Sequence, residues 1–202
     1  MKQFELIGGE VCLDFVNTIH DYQAADPREE LEDFRDLVAF AKQSEGITDS
    51  EAAALLREAA AKPKEAGRTL ALTREYRSAL YRIFSAVTSR KEPANADWQM
   101  LNKLVSSIYQ NVYLKKKGTN LSWEWRENRA GMDRVLWPIV RSSAALLTSE
   151  KKDLVRECSA EDCTWLFLDL SKNHTRRWCE MKKCGNRAKW HRHYDKTKKL
   201  DK

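Results

Sequence analysis

Four cysteines fall within 27 residues near the C-terminal end, spaced Cys158-x4-Cys163-x15-Cys179-x4-Cys184. Two thiol pairs separated by a short segment form the ligand pattern of one tetrahedral Zn²⁺. Each pair folds round the ion as a knuckle, and four thiolates complete its shell. A filled shell leaves no position for a reactive water, so the spacing predicts a structural metal and not a catalytic one. A segment of about 45 residues also buries too little apolar surface to fold alone, whereas structural zinc can supply on the order of 10 kcal/mol. Two alternatives stay open on the residues themselves. The same pairs could form disulfides in an oxidising compartment, and His174, His191 or His193 could replace one sulfur.

The segments around the ligands suggest what the metal would organise. Trp165–Leu170 is apolar and β-prone, Ser171–His174 reads as a turn, and Thr175–Trp178 as the returning strand. Residues 185–193 read as a helix, giving a treble-clef-like order of knuckle, β-hairpin and helix. From Lys172 to Lys199 there are 11 basic residues and 2 acidic ones. Arg176 and Arg177 on the hairpin, with Asn186, Arg187, Lys189, Arg192 and His193 on the helix, could face one polyanionic surface. Arg187, Asn186 and Arg192 have the bidentate groups that read base edges. Each also has a plainer role: Asn186 as a helix cap, Arg187 packed over Trp178, and Trp190 in a core.

The remaining chain must carry this module. Residues 1–150 have a net charge of −1 and residues 151–202 a net charge of +7, so the basic excess sits in the last quarter. We expect a neutral domain over 1–150 and a basic, zinc-binding, nucleic-acid-binding module over 151–202. The first domain reads as mainly α with a small β-hairpin region. Asp26-Pro27-Arg28-Glu29 resembles a capped helix start leading to Leu31, Phe34, Leu37, Val38 and Ala41, with Gly46 as its end. Thr48-Asp49-Ser50-Glu51 is a capping box, a longer helix runs from about Glu65 to Ser89, and Asn95 caps another. Alternation in Ile108–Leu114 and Asn120–Trp125, around Lys115–Thr119, predicts the hairpin.

Composition excludes some classes. The chain is 42% hydrophobic and 33% charged, which suits a folded domain. It has no apolar run near the roughly 18 residues that span a bilayer and no leader-like h-region, so the expected compartment is the cytoplasm, without membrane contact. Asp14, Asn17 and Thr18, within Gly8–Thr18, could line a small-ligand pocket; the plainer reading is a glycine turn whose polar side chains cap backbone groups. Asn173-His174 with His191 and His193 faintly echoes nuclease chemistry, but no acidic group completes a second metal site, and we expect no enzyme.

Cys158…Cys163-Thr164-Trp165-Leu166-Phe167-Leu168-Asp169…Arg176-Arg177-Trp178-Cys179…Cys184-Gly185-Asn186-Arg187-Ala188-Lys189 resembles the CGNR zinc finger family, bacterial proteins regarded as stress-induced transcription regulators. The stretch Gly8–Thr18 looks like the start of the ABATE domain that accompanies that finger. Thr164 departs from the family pattern, where glycine is common. The resemblance implies a zinc-dependent, DNA-binding transcription regulator, with duplex DNA as partner and an N-terminal domain that senses a small ligand or forms a homodimer. An RNA- or protein-binding zinc module is the alternative.

Overall fold

The computed structural model describes residues 2–126 and 131–191, so Arg192 and His193 lie outside the described residues. The chain is mainly helical: α1 (Val11–Val16), α2 (Phe34–Gln43), α3 (Asp49–Ala61), α4 (Pro63–Thr88), α5 (Asn95–Tyr109) and α6 (Trp137–Leu147). Antiparallel pairs complete it: β1 (Ile19–His20) with β2 (Arg28–Glu29), β3 (Val112–Lys117) with β4 (Asn120–Trp125), and β5 (Val155–Glu157) with β6 (Leu166–Leu168). Among the described residues no helix is long and apolar enough to cross a membrane.

Local signals set several boundaries. Thr48 accepts from the Glu51 amide and the Glu51 carboxylate accepts from the Thr48 amide, the reciprocal box that opens α3. Helix α4 buries Tyr76, Leu80, Ile83 and Phe84, one face at helical spacing. Helix α2 starts later than the Asp26-Pro27 pattern suggests. Its cap is Asp33, which accepts from the Arg35 and Asp36 amides, and Arg28–Glu29 is extended against Ile19–His20 instead. The tertiary pull on Glu29, described below, outweighs the local helix signal. Gly46 does follow α2, but the left-handed residue there is Glu45 at φ 56. Glycine is needed at 46 for close approach, because a Cβ would stand 2.5 Å from Pro138. Asn95 is the first residue of α5 and not its cap. That helix continues through Ile108, whose side chain is buried with Leu101 and Leu104, so the hairpin begins only at Val112.

Six-residue α1 is too short to persist alone. It is held by burial: Cys12, Leu13, Phe15 and Val16 have no exposed surface and pack among α4, α6 and β6. Burial pushes the Cys12 thiol up to about 12, so it stays protonated and behaves as a small apolar residue. The same core takes in Val155, Leu166 and Leu168 from the C-terminal segment. Residues beyond 150 thus share a core with the helices.

One ion pair crosses the core's edge. The Arg77 guanidinium, 1% exposed, donates to Thr18 Oγ1 at 2.7 Å and grips both oxygens of Glu29. Burial works against ionisation of Glu29, but the hydrogen bonds and charge of Arg77 outweigh it and hold the carboxyl below its ordinary range. Because the folded value is the lower one, this stabilisation is complete above the unfolded carboxyl's pKa of about 4.3. It is lost as the pH falls through the folded value. Glu29→Ala leaves Arg77 buried and unpaired, and urea unfolding at pH 7 is expected to show a loss of roughly 3–5 kcal/mol. The loss relative to wild type shrinks as the pH falls below about 4.

Candidate metal centre and its basic flank

Hairpin β5–β6 builds the first knuckle. Val155 pairs with Leu168 and Glu157 with Leu166, which places Cys158 just past β5 and Cys163 in the loop before β6. The Cys158 amide donates to Trp165 O at 2.9 Å and the Cys163 amide to Ala160 O at 3.2 Å, folding the loop back on itself. After β6 the chain turns through Ser171–His174 and returns past Thr175–Trp178. That return is irregular and not the expected strand, because β5 occupies one edge of β6 while Asn17 and Gly8 bond the backbone of Leu166 and Leu168 on the other. Its one backbone link to the knuckle loop is Ser159 N–H donating to Arg177 O at 2.9 Å. Cys184 lies in a π-helical turn, Met181–Gly185, followed directly by helical residues 186–191. A Cβ at Gly185 would stand 2.4 Å from Met181 Sδ and 3.0 Å from Trp178, so the glycine lets both side chains lie close over the turn that carries the ligand.

The four sulfurs converge, all within 4.8 Å of one another. Cys163–Cys179 is 3.7 Å and Cys179–Cys184 is 3.4 Å. These separations are far from the roughly 2.05 Å of a disulfide. They approach the roughly 3.8 Å edge of a tetrahedron with Zn–S bonds of about 2.3 Å. The donor set therefore fits one structural zinc. Three cysteines are buried, with Trp165 and Phe167 packed against them. Crowding also sets the protonation. Hydrogen bonds from Cys163 and Cys179 favour the Cys158 thiolate and pull it below the ordinary thiol range, and the contact with Cys158 pushes Cys163 up. Crowded thiolates repel one another, and a divalent ion supplies the charge that lets all four ionise together. The Cys179 amide, 3.4 Å from Cys158 Sγ, and Arg187 Nη2, 3.5 Å from Cys184 Sγ, add donors to the thiolates.

Histidine does not enter this shell among the described residues. His174, at φ 49, has its Nδ1 2.9 Å from Asp169 O, and the His191 ring lies against Trp190.

The basic residues divide into two sets. Arg176 points inward: it stacks 4.3 Å over the Phe167 ring and donates to the carbonyls of Trp178 and Cys179. Arg187 bridges to Asp162 at 2.7 Å as well as to Cys184, clipping the first knuckle to the helix that follows the second. It does not pack over Trp178; Arg177 does, 5.1 Å above that ring. Arg177, Asn186 and Lys189 are exposed, and Asn186 Nδ2 donates back to Lys182 O. Trp190 is 61% exposed and not a core residue.

Asp14, Asn17 and Thr18 come together at the joint with the metal centre. Asn17 brackets β6, donating to Leu166 O at 2.9 Å and accepting from Leu166 N at 2.8 Å. Asp14 accepts from the Gly8 amide at 2.7 Å, and Gly8 O in turn accepts from Leu168 N at 2.8 Å. Thr18 donates to Phe15 O and accepts from Arg77. All three side chains are thus committed to internal bonds. Three further residues matter that the sequence reading did not single out as functional. Thr164 Oγ1 accepts from the Tyr22 amide, so the position that departs from the family pattern is a contact of the joint. Glu157 accepts from Tyr81 and Ser85 on α4. Asp169 has no exposed surface. Burial opposes its ionisation, but hydrogen bonds from Ser171 and the Arg176 amide hold its carboxyl below the ordinary range. An acid inside the apolar run 165–170 was the available signal.

Comparison with known proteins adds two matches. Residues 9–150 match the family model ABATE, described as "putative stress-induced transcription regulator", and residues 155–197 match the CGNR zinc finger. A search of curated proteins found no match.

Two outcomes follow from the geometry. Because β6 belongs to both cores, removing zinc with a strong chelator is expected to lower the unfolding temperature of the whole chain. Helical circular dichroism and tryptophan fluorescence should move together, and a transition confined to fluorescence would contradict the shared core. Arg187→Ala removes a thiolate donor and the clip to Asp162. Competition with a chromophoric chelator is expected to show zinc affinity reduced by roughly 10–100-fold.

Proposed function

Given that the chain belongs to the ABATE family and carries a CGNR zinc finger, we propose that it is a transcription regulator that holds duplex DNA with the basic segment set on its zinc centre. The observation that carries this reading is the split among the cations. Arg176 is turned inward and Arg187, itself on the surface, is tied to Cys184 and Asp162, while Arg177, Lys182 and Lys189 are exposed on the segment the centre fixes. Cations fixed on a rigid frame lose little entropy on meeting phosphates, and they give affinity that falls with salt. Asn186 is the base-reading candidate on the described helix, and Arg192 and His193, outside the described residues, remain proposed contacts on chemical grounds alone. Arg176 is reassigned to positioning, and Arg187 acts first on Cys184 and Asp162.

Zinc is structural in this scheme, since four thiolates leave no open coordination position. The role is that of a binding protein and not an enzyme, working in a reducing cytoplasm where free thiols persist. The helical domain would supply regulation. An effector would not enter among Asp14, Asn17 and Thr18, whose polar atoms are engaged. A cleft of about 460 Å³, lined by Phe34, Leu56, Pro63 and Leu70, offers apolar space between α2, α3 and α4.

Trp190 favours a second reading. Its exposed ring could stack on an unpaired base, as single-stranded RNA readers require.

Fluorescence anisotropy with duplexes selected from a random library tests the first reading. With Arg177, Lys182 and Lys189 each on a phosphate, log K against log salt is expected to slope at about −2.7. Lys189→Ala and Arg177→Ala should each flatten it by about one unit, and chelation should abolish binding. Affinity indifferent to salt and chelator would sink the proposal. Preference for single-stranded RNA, lost in Trp190→Ala, would select the alternative.

A further inference from the structure

Hairpin β3–β4 stands apart from the helical body and the metal centre. Its two-residue connection, Gly118–Thr119, has Gly118 at φ 63, the left-handed position that a tight hairpin turn requires. The strands therefore run on through Lys117, past the turn expected at Lys115–Thr119. At its root the hairpin is anchored: Val112 is buried, and Trp123 meets Tyr109 and Trp137 edge to face. Further out it is uncovered. Leu114 is 56% and Leu121 67% exposed, and both lie on the same face as Trp123. An isolated pair of strands is marginal in water, so the exposed Leu114, Leu121 and Trp123, which share their face with Lys116, are a feature in need of a partner.

The two edges differ in charge. Along β3 run Lys115, Lys116 and Lys117, the usual means of keeping an edge strand from pairing with another chain. Between Asn120 and Trp125, β4 has no cation and a single acid, Glu124. Among the described residues β4 has β3 as its only neighbour. With a two-residue turn, the closing pair Lys117–Asn120 exchanges hydrogen bonds. Alternation along the ladder then turns the N–H and C=O of Leu121 and Trp123 toward the open edge.

We infer that β4 is the contact by which the protein pairs with a second copy of itself, two β4 strands joining antiparallel into a four-stranded sheet. Centred on Ser122, the pairing sets Leu121 against Trp123 of the second copy and Asn120 against Glu124 of the second copy. No like charges meet. The lysine-bearing β3 strands stay on the outside, where pairing through β3 would oppose lysine to lysine. Charge thus permits self-association through one edge and blocks it through the other. A polyanion fits this edge poorly, because leucines offer it nothing and the lysines lie on the far strand.

This inference does not depend on DNA binding, and the test uses zinc-loaded, nuclease-treated full-length chain without DNA. Sedimentation equilibrium at tens of micromolar is expected to give twice the 23.5 kDa chain mass, in low salt and in about 1 M salt, where charge contacts are screened. Leu121→Lys should restore the single-chain mass with zinc content and unfolding temperature unchanged. Replacing Lys115, Lys116 and Lys117 by alanine should leave the dimer intact. In the wild type, amide exchange at Leu121 and Trp123 should slow at least tenfold between dilute and concentrated samples, a readout that needs no variant. A monomer at every concentration overturns the inference. So does a dimer that dissolves in high salt, or one indifferent to Leu121→Lys.

Discussion

Strand β6 is apolar on both faces, and the rest of the molecule follows from the need to cover both. Leu166 and Leu168 face the helical core; Trp165 and Phe167 face the cysteines. A strand buried on two sides needs two hydrophobic layers. The helices make one. The chain after β6 is too short and too basic to make the other by packing alone, and four thiolates round one ion make it instead. Polar joints then fix the register across the strand. Asn17 bonds both backbone groups of Leu166, Gly8 accepts from Leu168, and the Trp165 indole donates to Ile19 O at 3.0 Å. Each bond satisfies a group whose burial unpaired would cost about 1–3 kcal/mol.

The same constraint explains why basic residues near the metal have unlike roles. The return from β6 to Cys179 is irregular, so its carbonyls lack strand partners. Arg176 supplies donors for them, and buried Asp169 holds the turn that delivers Arg176. Arg187 answers a different deficit, the negative charge of thiolates and of Asp162. Arg187 stays on the surface while bonded to these groups, and Arg177, Lys182 and Lys189 are exposed beside it. A count of positive charge therefore does not by itself say how many cations are left for an outside partner.

Legibility in the sequence tracked the range of each interaction. The ligands are local pairs with a diagnostic gap, and they were readable. So was the capping box at Thr48–Glu51, whose partners are three residues apart. Asp26-Pro27 misled, because it is a local signal overruled by Arg77, which draws Glu29 into an ion pair across 48 residues. Thr175–Trp178 lies next to β6 in sequence, but β5 from before the knuckle takes one edge and Asn17 with Gly8 the other. The role of Asn17 was unreadable, since its partner is 149 residues away. Asn17 was visible as a polar residue in an apolar stretch, but a pocket and a joint predict the same residue type there.

The joint also limits how regulation can work. A finger on a flexible linker could swing, and a signal from the helical domain would act by releasing it. Here α1 touches β6 directly, and Glu157 is held by Tyr81 and Ser85 of α4. Moving the centre relative to the helices would strand buried donors and open both cores, a cost comparable to unfolding. The helical domain and the metal centre therefore shift as one body. Under the proposed function, control would act on that body as a whole, through its stability, its metal content or its association with a second copy. A dimer set by the β3–β4 hairpin would then fix the spacing between two basic surfaces, which would select duplex sites of matching separation without internal motion.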